Sequence, residues 1–260
     1  MSAVLEPVVN RERDRRLARV VIGPGVRRNA LTSGAWAGIE RAARRLADDD
    51  DVRVVIVEGA SGWFCAGSDI REWAAATPAQ VELSFARMEA ACRAIEDLPV
   101  PTIAKIRGPA AGAGCQLAMA CDLRFLAEGA SIGMPIAVLG ILVSPAFANR
   151  LAARCGVAGA AELLFTGRMV DADQAVRLAL ANACVPTDDL DTHVEAVVTE
   201  ILDSPAASIR AAKRAVTGLL HAGRSASQSA VGPATDDAAF RQGVAAFLHR
   251  RRARAVRART

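Results

Sequence analysis

Tyrosine is absent from the 260 residues, and aromatic side chains make up only 4% of the chain against 52% hydrophobic residues overall. Any mechanism that needs a tyrosine acid, base or nucleophile is thereby excluded, and the core has to be built mainly from Ala, Val, Leu and Ile. Metal-type cysteine spacing is missing as well. The six cysteines (Cys65, Cys92, Cys115, Cys121, Cys155, Cys184) contain no CxxC pair and sit in apolar settings such as "WFCAG" and "AACRA". They read as small buried thiols of a reducing compartment rather than as disulfides or a zinc site. The three histidines, His193, His221 and His249, are far apart in sequence, so no metal site is expected. The N-terminal "MSAVLEPVVNRERDRR" lacks the apolar core of a signal peptide, and no apolar run is long enough to span a bilayer. A soluble cytoplasmic protein without membrane attachment is the expectation.

The length suits one large domain, or a domain with a small appendage. Net charge is +4 but unevenly placed, because "HRRRARAVRART", His249 to Thr260, carries six arginines and no acid. Such a tail either stays solvated at a loose terminus or contacts a polyanion. Nucleic acid is the weaker partner it admits.

"LARVVIG" (Leu17 to Gly23) and "VRVVIVEG" (Val52 to Gly59) are short β-branched runs of the kind that form buried strands. Between them "SGAWAGIERAARRLADD" has helical spacing, with Ser33 as its N-cap and basic residues towards its end. The alternation repeats with a helix over Pro78 to Leu98, a strand from Pro101, and a strand over Leu123 to Ala127, which predicts α/β architecture with parallel pairing. After Ser144 strand signals become sparse. "PAASIRAAKRAVTGLLHAG" and "DDAAFRQGVAAFLHRRRAR" are amphipathic helices, separated by the loop-like "SASQSAVGP" (Ser225 to Pro233).

Two loops follow predicted strands and precede helices: "GWFCAGSDI" (Gly62 to Ile70) and "GPAAGAGCQLAMACD" (Gly108 to Asp122). Loops at the carboxyl ends of strands form the ligand crevice of α/β sheets, and small residues there let backbone N–H groups approach a ligand. Two such loops can either be tight turns or each offer an N–H to one carbonyl oxygen, with the helix near Ala113 adding its positive end. A dinucleotide site is disfavoured, since "GPGVRR" and "GAGCQL" lack the third glycine of GxGxxG.

Over nearly its whole length the chain resembles the crotonase family, also called the enoyl-CoA hydratase/isomerase family. The resemblance rests on "RRNAL" (Arg27 to Leu31), "FCAGSDI" (Phe64 to Ile70), "GPAAGAGCQLAMACDLRF" (Gly108 to Phe125), "FTGRMVDADQAVRLALANACVP" (Phe165 to Pro186) and "GVAAFLHRRR" (Gly243 to Arg252), in this order. It implies an α/β spiral of ββα units over residues 1–200, followed by a C-terminal helical oligomerisation region, 201–260, with the basic tail. Assembly as a homotrimer or a dimer of trimers is implied too. The implied ligand is an acyl-CoA thioester of fatty-acid metabolism, with no cofactor beyond the CoA moiety. The implied chemistry is enolate stabilisation by the backbone N–H groups of Ser68 and Ala113. Ala113 replaces a glycine usual at that place, which requires a negative φ. CoA would lie along Arg28, Ala30, Ala66, Asp69 and Ile70, and the tail near its phosphates.

The resemblance breaks at the acid and base. The two glutamates of hydratases fall on Gln116 and Ile136. An amide can hold a water or acyl group but cannot take up a proton near neutral pH, and isoleucine can do neither. In the dehalogenase branch the nucleophilic aspartate aligns with Ser144 and a catalytic histidine with Glu89. Ser144 also suits a helix N-cap. Glu89, at the edge of the stripe Met88, Ala91, Cys92 and Ile95, is the leading acid/base candidate if burial raises its pKa. Asp69 reads as a helix cap, Glu72 as a first-turn acid and Cys115 as a small buried residue. The chain is therefore expected to be an isomerase or other lyase rather than a two-glutamate hydratase. The alternative is an acyl-CoA binding and delivery protein without chemistry.

Overall fold

In the computed structural model residues 6–14, 16–222 and 233–257 are described, with side chains except at 219–222 and 251–257. The loop expected at Ser225 to Pro233, save its last residue, lies outside them, as do the tail side chains from Arg251 onward.

The chain opens with strands β1 (Val8–Glu12) and β2 (Leu17–Ile22), then α1 (Ser33–Ala47), β3 (Val54–Gly59) and α2 (Pro78–Glu96). Next come β4 (Thr102–Ile106), β5 (Pro109–Ala111), α3 (Ala113–Ala120), β6 (Leu123–Ala127), β7 (Ser131–Gly133) and α4 (Pro145–Thr166), which is kinked at Gly156. The remainder is β8 (Met169–Asp171), α5 (Ala172–Arg177), β9 (Ala183–Val185), α6 (Leu190–Asp203), α7 (Ala206–Ala222) and α8 (Asp237–Arg257). Among the described residues no helix is long and apolar enough to cross a membrane.

Strands and helices recur as ββα units: β1, β2, α1; then β4, β5, α3; then β6, β7, α4. In the unit between the first two, β3 is followed by a single bridge, Cys65 to Ala110, in place of a full second strand. The first strands of the units line up in a six-stranded sheet, ordered β1-β2-β3-β4-β6-β9 and parallel except for the antiparallel β1 edge. The second strands build a smaller sheet, β5-β7-β8. The expected α/β spiral is what the chain forms.

Period-two alternation divides the large sheet between two cores. Val55 and Val57 of β3 face α1, α2 and α3, while Val54 and Ile56 face α6 through Leu190, Val194, Val198 and Leu202. Burial on both faces is why β3 reads as a continuous apolar run. Helix α1 starts one residue earlier than the sequence suggests. Thr32, not Ser33, is its N-cap, with Oγ1 accepting from the Ala35 N–H at 3.1 Å. The cap at Thr77 forms a full capping box with Gln80 ahead of α2, and Pro78 takes the first helical position. Strand β1 escaped the sequence reading because its run VVNRE is mostly polar and has no fully buried position, and β5, β7, β8 and β9 escaped it because three-residue strands have too few positions to show a period.

Candidate active site

The site begins at a turn. Arg27, Arg28 and Asn29 all adopt left-handed backbone, with φ of 55°, 55° and 54°. Asparagine tolerates this region better than most residues, and the buried Asn29 side chain fixes the turn. Its Nδ2 donates to the carbonyls of Ala60 (2.9 Å) and Trp63 (2.6 Å), while Oδ1 accepts from the Gly25 N–H at 2.8 Å. The turn and the first loop are thereby one piece. The Ala66 N–H donates to the Arg28 carbonyl, Leu31 N–H to Gly67, and Asp69 N–H to Leu31, each at 2.8 Å. Ser68 lies between the last two bonds, so its own N–H points the other way, and it donates to no described residue.

The second loop is stitched to the first by bonds from Cys65 N–H to the Pro109 carbonyl and from Ala111 N–H to the Cys65 carbonyl, both 3.1 Å. Gly112, at φ 55°, turns the chain into α3, whose first residue is Ala113. The first N–H groups of a helix have no intrahelical acceptor, and the Ala113 N–H has none among the described residues outside the helix either. Ala113 is not among the positive-φ residues, so its Cβ is accommodated. The loops touch. A Cβ at Gly67 would stand 2.8 Å from the Ala111 carbonyl oxygen and 3.6 Å from the Ala113 nitrogen, and one at Gly114 would run into the Cys65 carbonyl. Two unclaimed donors and the positive end of α3 thus meet at one place.

That place is the floor of a cavity of about 800 Å³. Ser68 and Ala113 line it, as do all five residues expected along CoA: Arg28, Ala30, Ala66, Asp69 and Ile70. At the mouth, Arg28 lies over the Trp63 ring at 5.0 Å from its centroid. Asp69 caps the 3-10 turn Ile70–Trp73 and is ion-paired with Arg71 and Arg27. Burial raises its pKa, but the hydrogen bonds and charge of Arg71, with Arg27, outweigh this and hold it below the ordinary carboxylate range. Deeper in, Trp73, Phe85, Met88, Ile136, Leu139 and Phe147 form an apolar wall.

The acid/base candidates are not brought to this cavity. Gln116, fully buried on α3, turns its Oε1 to Arg150 Nη1 (2.9 Å) and its Nε2 to the Phe147 carbonyl (3.4 Å). Glu89 accepts from Arg150 and from Arg93, at 2.9 Å each, and is not among the lining residues. Ser144 caps α4, its Oγ accepting from the Phe147 N–H at 3.3 Å, and does not line the cavity. Cys115 is fully buried, and burial pushes its thiol up to about 12, far from a thiolate nucleophile at neutral pH. His193 packs edge-on against Phe125 with centroids 4.8 Å apart, on the far face of the sheet.

Four residues that matter here were not singled out from sequence: Asn29, Trp36, Trp73 and Arg150. Asn29 had a signal, an asparagine in a short polar turn. Trp36 and Trp73 are buried with N–H groups that need partners, which they find in Ser68 Oγ (3.1 Å) and Ser84 Oγ (3.3 Å). Arg150 gave none, since its partners lie 34 to 61 residues away.

Comparison with known proteins agrees with this architecture. Residues 17–255 match the family model described as enoyl-CoA hydratase/isomerase. The chain is 36% identical over 249 residues to a protein named as a probable enoyl-CoA hydratase, echA8, of Mycobacterium bovis, covering 92% of this chain and 94% of that one. It is 35% identical over 205 residues to the mitochondrial enoyl-CoA hydratase domain-containing protein 2 of Bos taurus, covering 77% and 69%. The crystal structure of an enoyl-CoA hydratase from Bacillus anthracis superimposes with a TM-score of 0.79 at 29% identity, over 85% of this chain and 87% of that one.

Proposed function

The chain belongs to the enoyl-CoA hydratase/isomerase family, and from that premise we propose that it binds an acyl-CoA thioester and stabilises its enolate through the Ser68 and Ala113 N–H groups. The observation that carries this reading is the meeting of two unclaimed N–H donors and a helix N-terminus at the floor of one cavity. Donors placed where negative charge develops are each worth roughly 100-fold or more in rate. The CoA moiety lies along Arg28 and Asp69 at the mouth, and the acyl group enters the apolar wall.

The reaction is an isomerase or other lyase step rather than two-glutamate hydration. Asp69 is the one carboxylate among the described lining residues, and it is engaged by two arginines. Neither Gln116 nor Ile136 can deliver or accept the protons that addition of water requires. Chemistry in this cavity is therefore of the kind whose enolate forms without a carboxylate base supplied by the protein. Assembly as a homotrimer or dimer of trimers in the cytoplasm belongs to the same reading.

The same lack of a base supports a second reading, a protein that binds and delivers acyl-CoA without transforming it. One experiment separates the two. The protein is incubated with a panel of acyl-CoA thioesters in deuterated water, and binding is followed by calorimetry and products by mass spectrometry. Deuterium at the α-carbon or any new product supports enolate chemistry. Tight binding with unchanged thioester supports delivery, and no binding across the panel removes both.

A further inference from the structure

Ser68 carries a second donor that enolate stabilisation by backbone alone does not use. Its hydroxyl accepts a hydrogen bond from the Trp36 indole Nε1–H at 3.1 Å. Trp36 is fully buried at 0% exposure, so the donor end of this bond is shielded while Ser68 faces the cavity. An indole N–H can only donate. The hydroxyl proton must therefore point elsewhere, and its one described partner is the Met88 thioether, 3.9 Å away. A thioether is a weak acceptor, and Ser68 and Met88 both line the cavity. Trp36 acts as a positioning residue that turns the Ser68 O–H into a donor directed at whatever occupies the cavity beside the oxyanion pair.

The neighbouring polar groups are otherwise engaged. Arg71 and Arg27 are held by Asp69, and Arg28 lies over Trp63. Of the two hydroxyls that line the cavity, Ser68 and Ser131, Ser68 is the one on the residue whose backbone N–H faces the thioester carbonyl, and it stands in a largely apolar wall. A single residue offering N–H and O–H side by side matches a ligand with two oxygens side by side.

From this we infer that the preferred substrate is a 1,3-dicarbonyl thioester. Its thioester oxygen takes the N–H groups of Ser68 and Ala113, and the oxygen on C3 takes the Ser68 hydroxyl. The inference rests on the acyl-CoA reading of the site and deepens it, because such substrates enter the enolate without a protein carboxylate. In a 3-oxoacyl thioester the C2–H lies between two carbonyls and is acidic enough to pass to water. In a 2-carboxyacyl thioester the C2–C3 bond breaks and its electron pair moves into the thioester carbonyl as enolate. CO2 leaves, and C2 then takes a proton from water. One neutral hydrogen bond orients that carboxylate while solvating it less fully than water does, which favours its loss.

The test uses three probes of similar size: butyryl-CoA, 3-oxobutyryl-CoA and malonyl-CoA, titrated by calorimetry into the full chain. Product is read by mass spectrometry in the malonyl arm. At least one dicarbonyl probe is expected to bind roughly tenfold tighter than butyryl-CoA, the worth of one well-made hydrogen bond. Preference for 3-oxobutyryl-CoA alone identifies a ketone, and preference for malonyl-CoA alone a carboxylate. Preference for both identifies the shared dicarbonyl chemistry. Ser68→Ala keeps the backbone N–H and should abolish the preference, bringing the dicarbonyl probes to the affinity that the same variant shows for butyryl-CoA. Ser68→Thr should retain the preference, and Trp36→Phe should weaken it by a few-fold. Equal binding of all three probes, or a preference that survives Ser68→Ala, overturns the inference while leaving the acyl-CoA reading in place. Failure of butyryl-CoA and both dicarbonyl probes to bind overturns the two together.

Discussion

The Arg150 guanidinium donates to Gln116 Oε1 at 2.9 Å, and both residues are buried, Gln116 on α3 itself, with neither lining the cavity. The side chain on which hydratase chemistry would begin is thus already committed. Gln116→Glu puts a carboxylate at this place, but Arg150 is there to pair with it, and Ile136 still offers no second proton carrier. Gln116→Glu is therefore expected to gain no hydration of a 2-enoyl-CoA, followed by loss of the conjugated enoyl absorbance. A rate about tenfold or more above the parent protein would show that one carboxylate suffices and would remove the argument from the missing pair.

Arg150 also holds two carboxylates. Its Nε donates to Glu96 Oε1 at 2.7 Å and its Nη2 to Glu89 Oε1 at 2.9 Å, with the Arg150 and Glu96 side chains only 4% and 5% exposed. Burial lowers the guanidinium's pKa, but the neighbouring Cys92, Glu96 and Glu89 outweigh this and leave it raised. Arg150→Met keeps much of the apolar volume but takes from the buried Glu96 carboxylate the guanidinium that pairs with it. A loss of about 3–5 kcal/mol is expected in urea unfolding. Adding Glu96→Gln should restore part of it, because the lost ion pair of a buried carboxylate and not the lost packing is the main cost. No recovery in the double variant would count against that assignment.

These two cases show what was legible in the sequence and what was not. The two loops that line the cavity were legible because they are local. Small residues between a strand and a helix define the backbone path, and the proposed site uses only the backbone N–H of Ser68 and Ala113. The α/β class was legible for the same reason, from runs such as Val54–Gly59 whose period is contained within one element. Glu89 was not. Its place at the edge of a buried stripe suggested an acid/base group, but its carboxylate is taken up by Arg150, a partner 61 residues on. The Trp36 to Ser68 contact, 32 residues apart, was hidden likewise. Long-range pairing of side chains depends on how units stack, which one-dimensional periodicity does not carry.

On the face of the sheet covered by α6, Asp191 accepts from Lys105 of the interior strand β4 at 2.8 Å and pairs with Arg107 at 3.0 Å. Hydrogen bonds from Arg107 and Lys105 lower its pKa from the ordinary 3.8 to about 2. A depressed folded-state value gives stabilisation that is complete above about pH 4 and is lost as the pH falls through about 2. The Asp191 side chain is 60% exposed, so solvent screening keeps the contribution within the surface-pair range, under about 1 kcal/mol. Asp191→Asn should lower Tm slightly at pH 6, and the gap from the parent should close as the pH approaches 2. A gap that widens on acidification would mean that Asp191 does not titrate as its partners dictate.

Under the acyl-CoA proposal, Trp73 is the residue expected to set how far the acyl chain can run. It lines the main cavity of about 800 Å³ and also a second of about 180 Å³ against α8, where Phe240, Val244 and Leu248 lie. Its ring stacks on Phe85 at 5.3 Å with 15° between planes, and meets Phe240 at 5.4 Å. The Nε1–H bond to Ser84 Oγ fixes the ring that lines both spaces. Trp73→Ala should join the two spaces and let the chain bury further methylenes, each worth about 0.8 kcal/mol. Two of them amount to about 1.6 kcal/mol, or roughly tenfold tighter binding of the longer acyl-CoA over the parent. Truncating a buried tryptophan also costs roughly 3–5 kcal/mol of stability. Trp73→Leu therefore serves beside it, retaining more of the core while still joining the two spaces. Titrating both variants with a series of saturated acyl-CoA thioesters should move the length at which affinity stops rising towards longer chains. An unchanged length limit in folded protein would place the end of the acyl site short of Trp73, within the wall formed by Ile136, Leu139 and Phe147.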